Sequence, residues 1–407
     1  MAGTVSPETV AGGVWARLVG QSHVVEQLRR AAATAAQFQG GHLDRAPAHA
    51  WLFTGPPGSG RSTAARAFAA ALHCELAGTD AAGCGRCQGC RTTLAGSHPD
   101  VSVTVSQGSV LRAADVRPLI QLAQRAPTSG GWRVLIIEDA DRLNDTSGNA
   151  LLKAIEEPPE RTLWLLCAPS VADVLVTIRS RCRSITLRTP PVADVADLLV
   201  RTHGIDPAMA AYAARAAQSH VGRARRLATD EQARIRRRDV VSLAFGLRGV
   251  GDAVLRAGHL VEVASEEAAA ATTDRDAAEK ADLLRALGYQ EQTRLPPSVR
   301  AQVRDLETEQ KRRAARFKRD MLDLALTDLA SVYRDVAMLQ LGASVELVNP
   351  TERAEISALA RTSTPAHTLA RLDAIATART RLTSTNVNPL LAVEAMAIQL
   401  VGHEYGG

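Results

Sequence analysis

The residues with the most chemical content fall in three places along the chain. Gly55 to Ser62 reads GPPGSGRS, directly after the apolar run Ala50 to Phe53 and before an Ala-rich stretch from Thr63 to Leu72. Glycines at this spacing let backbone N–H groups wrap round phosphates, and a helix that starts there adds positive potential. The candidate nucleotide-binding residues are therefore Gly55, Pro56, Pro57, Gly58, Ser59, Gly60, Arg61, Ser62 and Thr63. Arg61 stands where a working phosphate loop carries Lys, and a planar guanidinium is not equivalent to an ammonium at a β/γ-phosphate.

The second place is the apolar run Val134 to Ile137, which ends in Glu138 and Asp139. A Walker B strand usually ends in Asp then Glu, the Asp holding magnesium and the longer Glu polarising the attacking water. Here the order is reversed. Glu138 can still reach a magnesium, but Asp139 is too short to orient water, so hydrolysis is not expected even where ATP and Mg bind. An acidic pair that merely ends a strand would look the same. The third place is Cys74, Cys84, Cys87 and Cys90, spaced C-x9-C-x2-C-x2-C. Four thiolates at such spacings enclose one tetrahedral zinc and leave no open coordination position, which predicts a structural Zn site. The alternative is a set of reduced free cysteines, with His73 or His98 as substitute ligands. Clustered cysteines without an export signal point to metal rather than disulfides. Cys167 and Cys182 lie near strand ends and read as buried thiols.

Elements that could position these groups follow from the apolar pattern. Short apolar runs alternate with amphipathic stretches from Val14 to about Leu187, the signature of a parallel sheet covered on both faces. The expected strands are Ala50 to Thr54, Val101 to Val105, Val134 to Ile137, Leu163 to Cys167 and Ser184 to Leu187. Thr189, Pro190 and Pro191 break the pattern, and the rest reads as helical. Asp206 with Pro207, and Asn388 with Pro389, are helix starts. Leu322, Leu326, Leu329, Tyr333, Val336 and Leu339 or Gln340 recur at spacings of four and three, one face of a helix. Residues 264–298 are Ala- and charge-rich and are expected to be partly flexible, and residues 1–13 read as a frayed end. The domain reading is 14–189 for an α/β domain with the cysteine module at 74–90, 190–240 for a small helical lid, and 241–407 for a helical bundle.

Composition narrows the function classes. The 407 residues are 46% hydrophobic and 22% charged, without an apolar run near the ~18 residues of a membrane span, which argues against a membrane-spanning helix and wholesale disorder. Aromatics are only 3%, too few for a platform on which single-stranded bases stack. A net charge of +5 permits an acidic partner without requiring one. The densest basic run, Lys311 to Arg319 (KRRAARFKR), reads either as a phosphate-contacting segment or as the solvated face of a long helix.

Several segments together resemble the clamp-loader subunits of bacterial DNA polymerase III, a family of AAA+ proteins, and among them the delta-prime members. They are Val19-Gly20-Gln21, GPPGSGRS, RVLIIEDADRL from Arg133 to Leu143, NALLKAIEEPP from Asn149 to Pro159, and Ser180-Arg181-Cys182. Specific motifs carry the resemblance over residues 14 to about 230, and helical character alone carries it beyond. It implies an α/β plus all-α chain: an AAA+ P-loop domain with a zinc excursion, a lid, and a collar domain through which subunits form a ring. It implies that Arg181 reaches into a neighbour's ATP site as a trans arginine finger, with Arg179 and Arg183 as flanking candidates. The implied partners are gamma/tau and delta subunits, the beta sliding clamp, and primed DNA through the complex, in the cytoplasm. Where motors carry a polar γ-phosphate sensor this chain has Ala168 or Pro169, and the lid arginine aligns with Gly222, beside Arg223. With Arg61 and the reversed acidic pair, these departures favour a degenerate stator over an ATP-hydrolysing gamma/tau motor. The resemblance assigns polymerase activity to the holoenzyme rather than to this chain. A zinc-containing scaffold that binds no nucleotide is the alternative from another class.

Overall fold

The computed structural model describes residues 12–39, 47–77, 79, 82–106, 110–289, 295–385 and 387–402. Residues 1–11, most of the expected frayed end, and 290–294 of the Ala-rich segment lie outside them. Two compact units divide between Asp230 and Glu231.

The first unit is built on a parallel sheet of β1 (Ala50–Thr54), β2 (Val101–Thr104), β3 (Arg133–Ile137), β4 (Thr162–Ala168) and β5 (Arg183–Thr186), in the order β2-β3-β4-β1-β5. Every residue of β1, β3 and β4 is buried, as expected of strands covered on both faces. Five expected strands thus appear within a residue or two of their places. Their helices are α1 (Ser22–Gln39), α2 (Arg61–Leu72), α3 (Gln88–Ala95), α4 (Ala113–Ala123), α5 (Asp145–Glu156) and the short α6 (Val176–Arg179). Trp51, Phe53, Phe68 and the alanines of α2 fill one face of the sheet, and Leu52, Leu135, Ile137, Leu151 and Trp164 the other. Helix α5 begins where Asn144 accepts the Ser147 amide at 2.9 Å and Ser147 returns its hydroxyl to the Asn144 amide, a reciprocal cap. Three helices complete the unit: α7 (Val192–His203), α8 (Pro207–Ala216) and α9 (Val221–Thr229). Asp206 caps α8 by accepting from the Met209 amide, with Pro207 in the first turn.

The second unit is all helical: α10 (Glu231–Gly246), α11 (Val250–Ala286), α12 (Pro297–Gln340), α13 (Arg353–Thr362), α14 (Pro365–Ser384) and α15 (Pro389–Gly402). Helix α10 begins within the range assigned to the lid from sequence, 190–240, but it packs on α12 and belongs to this unit. Leu322, Leu326, Leu329, Tyr333 and Val336 form the buried stripe of α12, facing Ala253, Ala257, Val261 and Ala264 of α11 and the apolar side of α15. Residues 264–286, expected to be partly flexible, are instead the second half of α11. Alanine has the highest helix propensity, and Arg313 of α12 clamps Asp276 and Glu279 of α11 at 2.7 and 2.6 Å.

A polar network crosses this core. Arg237 of α10 donates to Asp328 at 2.9 Å and to Asn349 at 2.5 Å, and Asp335 accepts the Asn349 amide and side chain and the Val348 amide at 2.8 to 3.0 Å. Arg237 and Asp328 are only 5% and 7% exposed, so truncating one strands the other charge. Arg237→Ala is expected to destabilise the second unit by about 3 to 5 kcal/mol, read from the denaturant midpoint at unchanged slope.

Candidate nucleotide corner, exposed arginine and cysteine cluster

Strand β1 delivers the loop 55–62 to the first turn of α2. The Gly55 amide donates to the Pro169 carbonyl beyond β4 at 3.1 Å, and Ser59 closes a turn onto Pro56 at 3.1 Å. Gly58 has φ of 84°, and a Cβ there would lie 2.6 to 2.7 Å from the ring and backbone of His220. Gly60, at φ of 95°, caps α2. Both positions need glycine. Gln21 of the Val19-Gly20-Gln21 motif is buried and donates to the Arg188 carbonyl at 2.6 Å and, at 3.5 Å, to that of Ser59. It ties the loop to the exit of β5. The Ser59 hydroxyl and one Arg61 guanidinium nitrogen are buried without a hydrogen-bond partner, while Ser62 and Thr63 are half-buried in the first turn of α2.

The acidic pair lies beside this loop, and each of its carboxylates already has an oxygen engaged. Glu138 Oε1 accepts from Arg66 Nη2 at 2.8 Å and Nε at 3.1 Å. Asp139 accepts the Ser106 amide at 3.1 Å, with Arg142 at 4.0 Å. Asp141 is nearby: burial raises its pKa and Asp139 adds to the rise, whereas Arg142 and Arg61 oppose it. The Cys167 thiol, at the end of β4, is pushed up to about 12 by burial and by the Glu138 carboxylate. Ala168 and Pro169 follow it with no side-chain donor, where the resemblance looks for a phosphate sensor.

In the lid helices, His220 rather than Gly222 touches the loop. It caps α9 by accepting the Arg223 amide at 3.3 Å, and burial together with Arg223 lowers its pKa. Arg223 is buried in the same helix.

Arg181 stands apart from the nucleotide corner, between α6 and β5. Its side chain is 40% exposed, donates to the Thr177 carbonyl at 2.8 Å and Ser180 Oγ at 3.1 Å, and pairs with Glu156 at the end of α5. The flanking arginines have other contacts. Arg179 donates to the Val171 carbonyl at 3.4 Å, and Arg183 stacks 4.8 Å from the Trp51 ring.

All four cysteines converge, their sulfurs within 4.8 Å of one another. Tetrahedral zinc with bonds of about 2.3 Å sets its sulfurs roughly 3.8 Å apart, and Cys74 and Cys87 are 3.9 Å apart. The Leu76, Cys87 and Cys90 amides point at the sulfurs of Cys74, Cys84 and Cys87, each at 3.4 Å, which favours thiolates. Burial acts to raise the Cys84 thiol, but amide hydrogen bonds from Arg86 and Cys87 outweigh it and bring the thiol down to about 7. Cys90 and Cys74 are raised by burial. His73 and His98 stack with centroids 4.0 Å apart, outside this group. The module is keyed into the domain by Trp15, whose indole donates to the Ala82 carbonyl at 2.8 Å.

Sequence reasoning missed Arg66, Asp141, Gln21 as a loop tie, and His220. Arg66 had a local signal, being the one charged residue of α2 beyond Arg61 in a helix otherwise of small and apolar residues.

Residues 31–191 match the family described as DNA polymerase III, delta subunit, and residues 312–401 match its C-terminal counterpart, DNA polymerase III, delta subunit, C terminal. The chain belongs to the DNA polymerase III clamp-loader subunits. Among its relatives, the delta' subunit of Pseudomonas aeruginosa is 35% identical over 40% of this chain and 50% of its own length. The tau subunit of Escherichia coli is 35% identical over 44% of this chain and 26% of its own. The chain spans half or less of these curated relatives. A gamma subunit-related protein of Thermotoga maritima aligns over 93% of this clamp-loader chain and 99% of its own, at 15% identity and a TM-score of 0.38. Among the described residues no helix is long and apolar enough to cross a membrane.

If the cysteines of this clamp-loader subunit hold zinc, metal analysis of the purified chain will find one equivalent, and Cys84→Ser or Cys90→Ser will abolish it with a lower melting temperature. Thiols that are protonated when metal-free must release protons on binding, so zinc affinity is expected to fall as pH is lowered, through the raised Cys74 and Cys90 thiols already above pH 7 and more steeply below about 7 where Cys84 also takes up its proton, measurable by competition with a chromophoric chelator.

Proposed function

We propose that the chain is the delta-prime stator of the clamp loader: a ring member that does not turn over ATP itself but completes a neighbour's ATP site. The observation that carries this reading is the contrast between its two arginine sites. At its own loop Arg66 occupies the Glu138 carboxylate, Arg61 replaces Lys, and Ala168, Pro169 and Gly222 supply no sensor. At Arg181, by contrast, an exposed guanidinium is held only by surface contacts that cost little to exchange. Placed at a neighbour's γ-phosphate, it would stabilise charge that develops in phosphoryl transfer.

On this reading the partners are gamma/tau and delta subunits, the beta clamp, and primed DNA reached through the complex, in the cytoplasm. Structural zinc in the cysteine module keeps the region before α3 rigid. The basic run Lys311 to Arg319 is a helix face, because Arg312, Arg313 and Arg316 are committed to Glu309, to Asp276 and Glu279, and to Asp320.

The intact glycine framework favours a second reading, a gamma/tau-type motor that tolerates Arg61. Phosphate release by the isolated chain would support it. In the assembled loader Arg181→Ala is expected to slow hydrolysis at the adjoining site by about 10³-fold, as for arginine fingers elsewhere, in a single-turnover assay with clamp and primed DNA. An unchanged rate would remove Arg181 from the site.

A further inference from the structure

The nucleotide corner contains three carboxylates, Glu138, Asp139 and Asp141, and three guanidiniums, Arg61, Arg66 and Arg142. Its formal charge is therefore balanced by the chain alone. A magnesium site in such a corner needs a carboxylate free to turn toward the ion, because Mg²⁺ demands near-ideal octahedral oxygen geometry at about 2.0 to 2.1 Å. Both strand-end carboxylates are held in other directions through one oxygen each. Two nitrogens of Arg66 converge on one oxygen of Glu138, and Asp139 is turned to the Ser106 amide. Arg66 comes from the middle of α2, whose neighbouring residues are buried, and its guanidinium, on a side chain 34% exposed, is held by the largely buried Glu138 carboxylate. A divalent cation at Glu138 would lie within a few ångströms of this fixed positive charge and be repelled by it. The residues present do not fit magnesium.

We propose that Arg66 takes the place of the divalent cation in this subunit, so that a nucleotide held by residues 55–63 is bound without magnesium. The positive charge that a metal would bring to the phosphates is supplied by Arg61 and Arg66, both parts of α2. This inference deepens the stator reading and rests on it, since a corner that excludes magnesium lacks the ion that bridges the phosphate oxygens and neutralises the charge developing in phosphoryl transfer.

The test is equilibrium binding of a fluorescent ATP analogue to the full chain, in excess magnesium and in EDTA. Affinities in the two buffers are expected to agree within about threefold for the wild type, while Arg66→Ala gains at least about tenfold from magnesium. Wild-type binding about tenfold tighter with magnesium would overturn the proposal, as would an Arg66→Ala variant indifferent to it. Arg66→Gln, which keeps a donor toward Glu138, serves if Arg66→Ala does not fold. Absence of nucleotide binding in both buffers would overturn the part concerning nucleotide. The exclusion of metal is then decided by thermal unfolding with millimolar Mn²⁺ alone: it should stabilise Arg66→Ala and not the wild type, and equal shifts in both, or none in either, would reject it. Magnesium-dependent binding without phosphate release sinks only this inference. Magnesium-dependent turnover sinks the stator reading as well.

Discussion

Strand β1 has a parallel partner on each side, β4 and β5, and all of its residues are buried. A strand in that position cannot slip by one residue without exchanging the side chains that face the two halves of the core. The point where the chain leaves the sheet is therefore fixed, and the loop 55–62 opens there, beside the ends of β3 and β4. Gly55 reaches Pro169, Glu138 arrives from β3, and Gln21 holds both the loop and the segment after β5. The corner is a consequence of sheet register, and it persists whether or not its side chains can still do chemistry.

That separation means that the loop keeps its shape whichever side chains stand around it. Clustered carboxylates at strand ends repel one another unless a cation is present. In an active ATPase the ion arrives with the nucleotide. Here Arg61, Arg66 and Arg142 are built in, so the corner needs no ligand to settle its electrostatics. A subunit whose nucleotide corner is neutral at rest has less reason to change shape as nucleotides come and go, which is what the proposed stator role asks of it.

Features set by local pattern were legible in the sequence. The five strands followed from short apolar runs, the phosphate loop from its glycines, and the four cysteines from their spacing, because each is encoded within a few dozen residues. What could not be read was pairing across the fold. Arg66 and Glu138 are separated by 72 positions, and Gln21 and Arg188 by 167. No periodicity links them; only the parallel crossovers of the sheet bring them together. The Ala-rich stretch failed differently. Its charges looked like those of a solvated linker, yet Asp276, Glu279 and Lys280 pair with the facing Arg313 and Glu307 of α12, and that match lies in the other helix.

Arg66 and Arg181 are the same residue type with opposite proposed uses, and the surroundings of their carboxylate partners differ accordingly. Arg66 emerges from a buried helix, and its carboxylate partner is only 18% exposed, so exchanging that partner would leave Glu138 poorly solvated. Arg181 pairs with a Glu156 side chain that is 41% exposed, and water replaces the lost contact at little cost. Its backbone is nevertheless fixed, with its amide bonded to the Ile178 carbonyl at 3.0 Å at the end of α6. A fixed backbone carrying a cheaply redirected guanidinium is what the proposed contact with a neighbouring subunit would require, because the position is settled before a partner arrives and only the last few torsions would choose between Glu156 and a phosphate.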